Sequence, residues 1–143
     1  MREIKFRAWN KIVNKMALNI EEEYDDTCEY ADGSSPVMAA FSDYFKKDEW
    51  EAVMQYTGLK DVNNKEIYHY DVVKRYWKPF NRDIFDLWMV DWYEPNMSWF
   101  LVRNDPTQDV KDRDWLNEDP LEVIGNVYEN PDLLEKVVDS AKK

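Results

Sequence analysis

The sequence predicts a mainly β protein of the α+β class, built around a small core and closed by one C-terminal helix. Three observations carry that prediction. Seven Trp, nine Tyr and six Phe make 15% of the chain aromatic, and such side chains favour the pleated, half-buried surface of a sheet. Several segments alternate apolar and polar residues with period two, the repeat of a strand with one dry face. One segment near the end instead carries an apolar stripe at helical spacing. With 143 residues, the chain is long enough to bury a core without disulfides or metal.

The elements follow in order. Ile4, Phe6 and Ala8 alternate with Lys5, Arg7 and Trp9, which predicts a strand with one dry face. Asn10 and Asn14 bracket a turn, and Met16, Leu18 and Ile20 alternate again, completing a hairpin. Residues 21–35 hold seven acids and the turn formers Gly33, Ser34 and Ser35, the composition of a solvated loop. Ser42 is placed to cap a short helix with Phe41, Phe45 and Glu49 on one side. From Ala52 the chain is β-prone through Thr57, with Gly58 as the expected stop. Asp61 to Lys65 reads as a polar turn in which Asn63-Asn64 tolerates positive φ.

Strands are then expected at Glu66–Tyr68 and Tyr70–Trp77. Phe85–Tyr93 is the strongest strand of the sequence. Phe85, Leu87, Met89 and Tyr93 fall on one face and Trp88, Val90 and Trp92 on the other, so both sides need cover, from this chain or another subunit. Glu94-Pro95-Asn96 turns the chain, and Ser98–Arg103 returns as a partner strand. Residues 104–120 read as a polar surface loop around Trp115, and Leu121–Tyr128 as a last strand with Gly125 at a bulge or close backbone approach. Asn130 and Pro131 mark a helix start. Leu133, Leu134, Val137, Val138 and Ala141 form its stripe, and Lys142 and Lys143 complement its dipole.

Composition excludes several functions. Only three glycines occur, too few for a glycine-rich phosphate loop, and Cys28 and His69 each stand alone, which rules out a disulfide framework and a structural zinc. No apolar run approaches the length of a membrane span and the N-terminus lacks the pattern of a secretory signal, so a cytoplasmic protein is expected. The net charge of −11 is unevenly spread: residues 1–16 carry +4, 17–56 carry −9, 57–82 carry +3 and 83–143 carry −9. Such a field repels nucleic-acid phosphates and disfavours a direct nucleic-acid reader.

Residues 53–74 (VMQYTGLKDVNNKEIYHYDVVK), 121–134 (LEVIGNVYENPDLL) and the opening MREIKFRAWNKIVNKM closely resemble the YopX family of phage and prophage proteins. These blocks cover roughly a third of the chain and span its length, so the resemblance is to the whole protein. It implies an SH3-type small β-barrel core, an origin in a phage or prophage and a cytoplasmic place in the host cell. It supplies no catalytic residues. Residues 1–51 then form the N-terminal hairpin with the acidic loop or short helix, and residues 52–143 the SH3-like barrel with the C-terminal helix, together one compact body. Relatives carry Gly before the acid that matches Asp71. Here that residue is Tyr70, for which positive φ is strained, so a different local turn is expected. Asn64 in place of the usual turn glycine is a milder change.

No catalytic residue, cofactor or metal ligand is assigned. His69 lacks a second His or a Cys to make a site. Asp71, Asp91 and Glu94 lie near strand ends, where paired acids hydrolyse bonds or bind Mg²⁺, but acids are frequent enough here to cluster by chance. Trp88, Trp92, Tyr93 and Trp99 are the candidate interaction surface; a stacking platform for sugars or bases is the alternative use of the same rings. The acidic tract Glu21–Glu29 reads first as a solvated loop and second as a nucleic-acid mimic. The sequence therefore leads to a non-enzymatic homo-oligomer that binds a host or phage protein. An acidic inhibitor of a nucleic-acid-acting protein and a metal-dependent hydrolase are the alternatives.

Overall fold

A computed structural model describes residues 3–22, 29–34, 41–46, 49–77, 83–105, 110–116 and 120–141. Most of the acidic tract, Cys28, Pro79, Asn81, Pro106, Lys142 and Lys143 lie outside the described residues, as do the side chains of Val138 and Ala141. The fold is mainly β: two five-stranded antiparallel sheets and one helix. The first sheet has the order β3-β2-β1-β4-β5, from Glu29–Tyr30, Lys15–Leu18, Phe6–Asn10, Trp50–Lys60 and Glu66–Tyr68. The second has the order β10-β6-β7-β8-β9, from Leu121–Asn126, Asp71–Tyr76, Phe85–Tyr93, Ser98–Asp105 and Val110–Trp115. Helix α1 is Asp132–Ala141. Neither strand order closes on itself. The chain divides into two compact units, residues 1–58 and 59–143.

In the first unit the expected hairpin forms, with Ala8 opposite Ala17 and Trp9 opposite Met16. Its turn is tied by Asn10, whose Oδ1 accepts the amides of Ile12 and Val13, and by Asn14 at φ 55°. The core gathers Ala8, Ala17, Ile20, Tyr44 and Trp50, with the Tyr44 and Trp50 ring centroids 4.7 Å apart. Three expectations are corrected. β1 is buried on both faces, since Arg7, Trp9 and Asn10 are as covered as Ala8, and the alternation reported chemistry rather than exposure. Within the acidic loop, Glu29–Tyr30 pairs with β2 as a short edge strand. Gly58 does not end β4, which runs on to Lys60: glycine accepts φ 93° inside a strand without steric cost. The short helix after residue 40 is a 3-10 turn, Phe41–Phe45.

In the second unit β7 has the bounds expected from its two apolar faces, Phe85–Tyr93. Trp88 and Val90 are buried in a core with Ile67, Val73, Trp99, Leu101 and Leu121. On the other face Leu87 packs with Val72 against Leu133 and Val137 of α1. The middle of β7 is therefore covered by its own chain, and no second subunit is needed to dry it. Leu134, expected in the helix stripe, is exposed.

Residues 104–120 are not a loop throughout. Val110–Trp115 forms β9, paired with β8 from Phe100↔Trp115 to Asp105↔Val110. Its charged sequence hides it from a hydrophobic-period search, and charge is how an edge strand is kept from pairing further. Gly125 sits at the expected bulge in β10, where the register shifts. A Cβ there would lie 2.7 Å from Leu133 Cδ1 and closer still to Asn130 Oδ1, so the β10–α1 packing requires glycine. Asn130 itself accepts the Asn126 amide through Oδ1, and the helix begins two residues later, at Asp132.

Candidate functional site

Between β5 and β6 the chain reverses within Tyr68–Asp71. Asp71, 1% exposed, accepts the Tyr68 amide through Oδ2, and Tyr70 takes φ 68°. The expected departure of this turn is thus overturned: tyrosine adopts the left-handed conformation, and its neighbours hold it there. Its amide donates to the Val90 carbonyl of β7, and its carbonyl accepts the Val127 amide. The His69 ring stacks on the Tyr70 ring at 3.8 Å and 13°, while Tyr128 meets Tyr70 edge-on at 5.6 Å. Left-handed geometry in a non-glycine residue costs about 1–2 kcal/mol, and the ring contacts offset it.

That turn brings His69 against β7. Its Nε2 lies 2.8 Å from Asp91 Oδ1, which also accepts the Trp92 amide at 2.8 Å. The imidazole meets the Trp99 ring edge-on at 5.2 Å, and Trp92 meets the same ring at 5.0 Å. Tyr70, His69, Trp99 and Trp92 therefore form a continuous aromatic run with the Asp91 carboxylate fixed beside it. Asp91 and His69 side chains keep 30% and 18% exposure. Burial, and secondarily the Asp91 charge, pushes the Tyr70 phenol above its usual 10.0. The buried Trp99 indole Nε1 has no hydrogen-bond partner among the described residues.

The rings proposed from sequence are divided. Trp88 (3% exposed) and Trp99 (8%) are core residues, whereas Trp92 keeps 36% exposure and Tyr93 is half-buried. The acids separate as well: Asp71 serves a backbone amide, Asp91 pairs with His69, and Glu94 opens an exposed 3-10 turn that ends at Met97, φ 48°. Among the described residues no three His, Cys, Asp or Glu side chains are grouped to hold a metal. Sequence reasoning did not join His69 to Asp91, which are 22 positions apart; only the register of β6 and β7 does so.

It also missed a charged cluster on Trp88. Arg75 and Arg103 guanidinium carbons lie 4.5 and 4.1 Å from that ring centroid, and Arg75 pairs with Asp86 and Asp114. Burial alone would lower the Arg75 pKa, but its hydrogen bonds to the two carboxylates outweigh that and raise it. The Arg75 side chain is thus held between two carboxylates on the face of the buried Trp88 ring.

The family model described as YopX protein matches residues 5–135. The chain belongs to the YopX family. Among solved structures, this YopX-family chain is similar to protein EF1440 from Enterococcus faecalis, with a TM-score of 0.53 and 20% identity over 94% of this chain and 99% of that one. At that identity the likeness concerns the fold. No curated protein matches the chain. Among its described residues, no helix is long and apolar enough to cross a membrane.

Proposed function

We propose that the chain is a non-enzymatic protein-interaction module, encoded by a phage or prophage and acting in the host cytoplasm as a homo-oligomer. The observation that carries this reading is a group of large apolar side chains left open where β6 ends and β7 begins. Trp77 is 52% exposed, Ile84 54% and Phe85 40%, and the Trp77 amide donates to the Ile84 carbonyl, which sets Trp77 opposite Ile84 with Phe85 next in the chain. Grouped exposed apolar residues mark interaction surfaces, while scattered ones do not. A second copy of the chain is the partner that this patch would meet first. In this reading residues 52–143 form the SH3-like core with the C-terminal helix that the family resemblance implies.

Sedimentation velocity from low micromolar to near-millimolar concentration tests it. The wild-type chain is expected to shift from monomer to a larger species, and the triple variant Trp77→Ser, Ile84→Ser, Phe85→Ser to stay monomeric with an unchanged far-UV spectrum. A wild-type chain that remains monomeric throughout sinks the self-association reading.

A further inference from the structure

We infer that the open edge of β9 receives an extended segment of a partner protein as an added antiparallel strand, with an acidic residue opposite Arg113 and an apolar one opposite Trp115. The proposal rests on the interaction-module reading and adds the chemistry of the partner. It does not depend on self-association.

Among the described residues β9 is the last strand of its sheet and pairs only with β8. The Leu116 amide donates to the Trp99 carbonyl, and in an antiparallel ladder such bonds alternate along the strand. The backbone groups of Lys111, Arg113 and Trp115 therefore point to the open edge. Asp114 Oδ1 takes the Trp115 amide at 2.8 Å, which leaves the amides of Lys111 and Arg113 for a new strand. By register, Tyr93 of β7, Phe100 of β8, and Arg113 and Trp115 of β9 share one face. The Phe100 ring lies 5.0 Å from Tyr93 and 4.4 Å from Trp115, and the Arg113 guanidinium carbon lies 4.5 Å from the Tyr93 centroid. Phe100 is buried, whereas Trp115 is 50% exposed and Arg113 is exposed. No carboxylate pairs with Arg113 among the described residues.

Such an edge selects its strand by charge. Opposite charges facing each other across a strand pair stabilise it, and like charges destabilise it. A second copy's β9 is therefore the wrong partner. Two copies paired antiparallel about a two-fold axis meet at a residue that faces itself, and from Lys111 to Asp114 every such residue is charged. A glutamate opposite Arg113 instead exchanges both backbone bonds with it and brings a carboxylate to the face of the guanidinium. Two positions away, an apolar residue on the same face covers the Trp115 ring. Asp114 is already engaged by Arg75 and asks nothing of the residue facing it.

The test uses the full chain and three short, otherwise neutral, β-prone peptides that carry glutamate, glutamine or lysine at the position facing Arg113. Binding is followed by shifts of the β9 amide resonances. The glutamate peptide is expected to bind about two- to thirty-fold more tightly than the lysine peptide, the span between opposite-charge and like-charge cross-strand pairs, with glutamine between them. Arg113→Glu should reverse that order, and Trp115→Ala should weaken all three peptides alike. N-methylation of the peptide residue facing Arg113 should abolish binding, while N-methylation of the next residue should leave it intact. No binding of the glutamate peptide up to about 1 mM, equal affinity for glutamate and lysine, an order unchanged in Arg113→Glu, or indifference to the methylated position each overturns the inference. Loss of self-association in Arg113→Glu would make a second copy the occupant and overturns it too. Because Arg113 is exposed, its variant keeps the test open even where Trp115→Ala fails to fold. A chain that self-associates through Trp77, Ile84 and Phe85 yet ignores the glutamate peptide refutes this site alone; a monomer that selects that peptide at β9 refutes only the self-association.

Discussion

Two tight turns flank β5 and meet the same demand with different residues. The turn Asp61–Lys65 leads into it and the turn Tyr68–Asp71 leads out. Each holds a buried aspartate that accepts backbone amides: Asp61 takes those of Asn63, Lys65 and Val123, and Asp71 takes that of Tyr68. Each also has one non-glycine residue in the left-handed region, Asn64 at φ 64° and Tyr70 at φ 68°. Asparagine adopts that conformation with little penalty, whereas tyrosine does not. The first turn is therefore locally content. The second is held by its surroundings, with a ring kept at a costly backbone position where it supports His69 beside Asp91. Strain of that kind gathers at sites where a side chain is wanted for its position.

The largest effect expected from this comparison lies in the first turn. Asp61→Ala removes the acceptor of three amides, one of which belongs to β10, and leaves them partly buried without a partner. A loss of about 3 kcal/mol follows, read as a lower urea midpoint at constant m-value. A loss under about 1 kcal/mol would mean that water replaces the carboxylate and that Asp61 does not hold the β10 edge.

The second turn gives the sharper experiment, because strain and ring contacts separate there. Tyr70→Ala keeps the left-handed cost and discards the stack on His69 and the edge contact with Tyr128, so about 2 kcal/mol should be lost. Tyr70→Gly discards the same contacts but relieves the backbone, and its stability should fall within about 1 kcal/mol of the wild type. The difference between the two variants isolates the strain. If alanine and glycine are equivalent at this position, Tyr70 is not held against its preference and the contrast between the turns disappears.

How far the sequence reveals these features depends on the range of the interaction. A dense apolar and aromatic run marks β7 from Phe85 to Tyr93, since both of its faces are apolar and turns lie beyond its ends. Gly125 was legible as a close approach, although the residues it admits, Asn130 and Leu133, were not. β9 was invisible because Val110–Trp115 is an edge strand whose charges carry no period. The exposure of Trp92 against the burial of Trp88, four residues apart on one face of one strand, is set by Trp99 and the core beneath it rather than by residue type. The pairing of His69 with Asp91 needs the register of β6 on β7, and register is a tertiary property.

Asn64 supplies a smaller effect and a control on the comparison. Asn64→Ala places a Cβ without a compensating polar group in the left-handed region and should cost about 1 kcal/mol, while Asn64→Gly should lie within a few tenths of the wild type. Thermal or urea unfolding of the pair checks it. A penalty for glycine equal to that for alanine would show that the Asn64 side chain, rather than its backbone tolerance, secures the turn.

The smallest expected effect is electrostatic and belongs to the Tyr70 turn alone. Burial first, and the Asp91 charge second, raises the Tyr70 phenol above 10.0 in the folded chain. Below that pH both folded and unfolded chains keep the proton, and the group leaves stability unchanged. Above it the unfolded chain releases the proton first, so the folded state binds more protons and stability falls as pH rises. The difference between the ultraviolet phenolate titrations of the wild type and Tyr70→Phe should show Tyr70 ionising late. Asp91→Asn removes only the lesser cause, so Tyr70 should ionise somewhat earlier than in the wild type yet still later than an exposed tyrosine. Full return to 10.0 in that variant would make the carboxylate the main cause and burial the minor one, and Tyr70 would then be far more open than its stack on His69 allows.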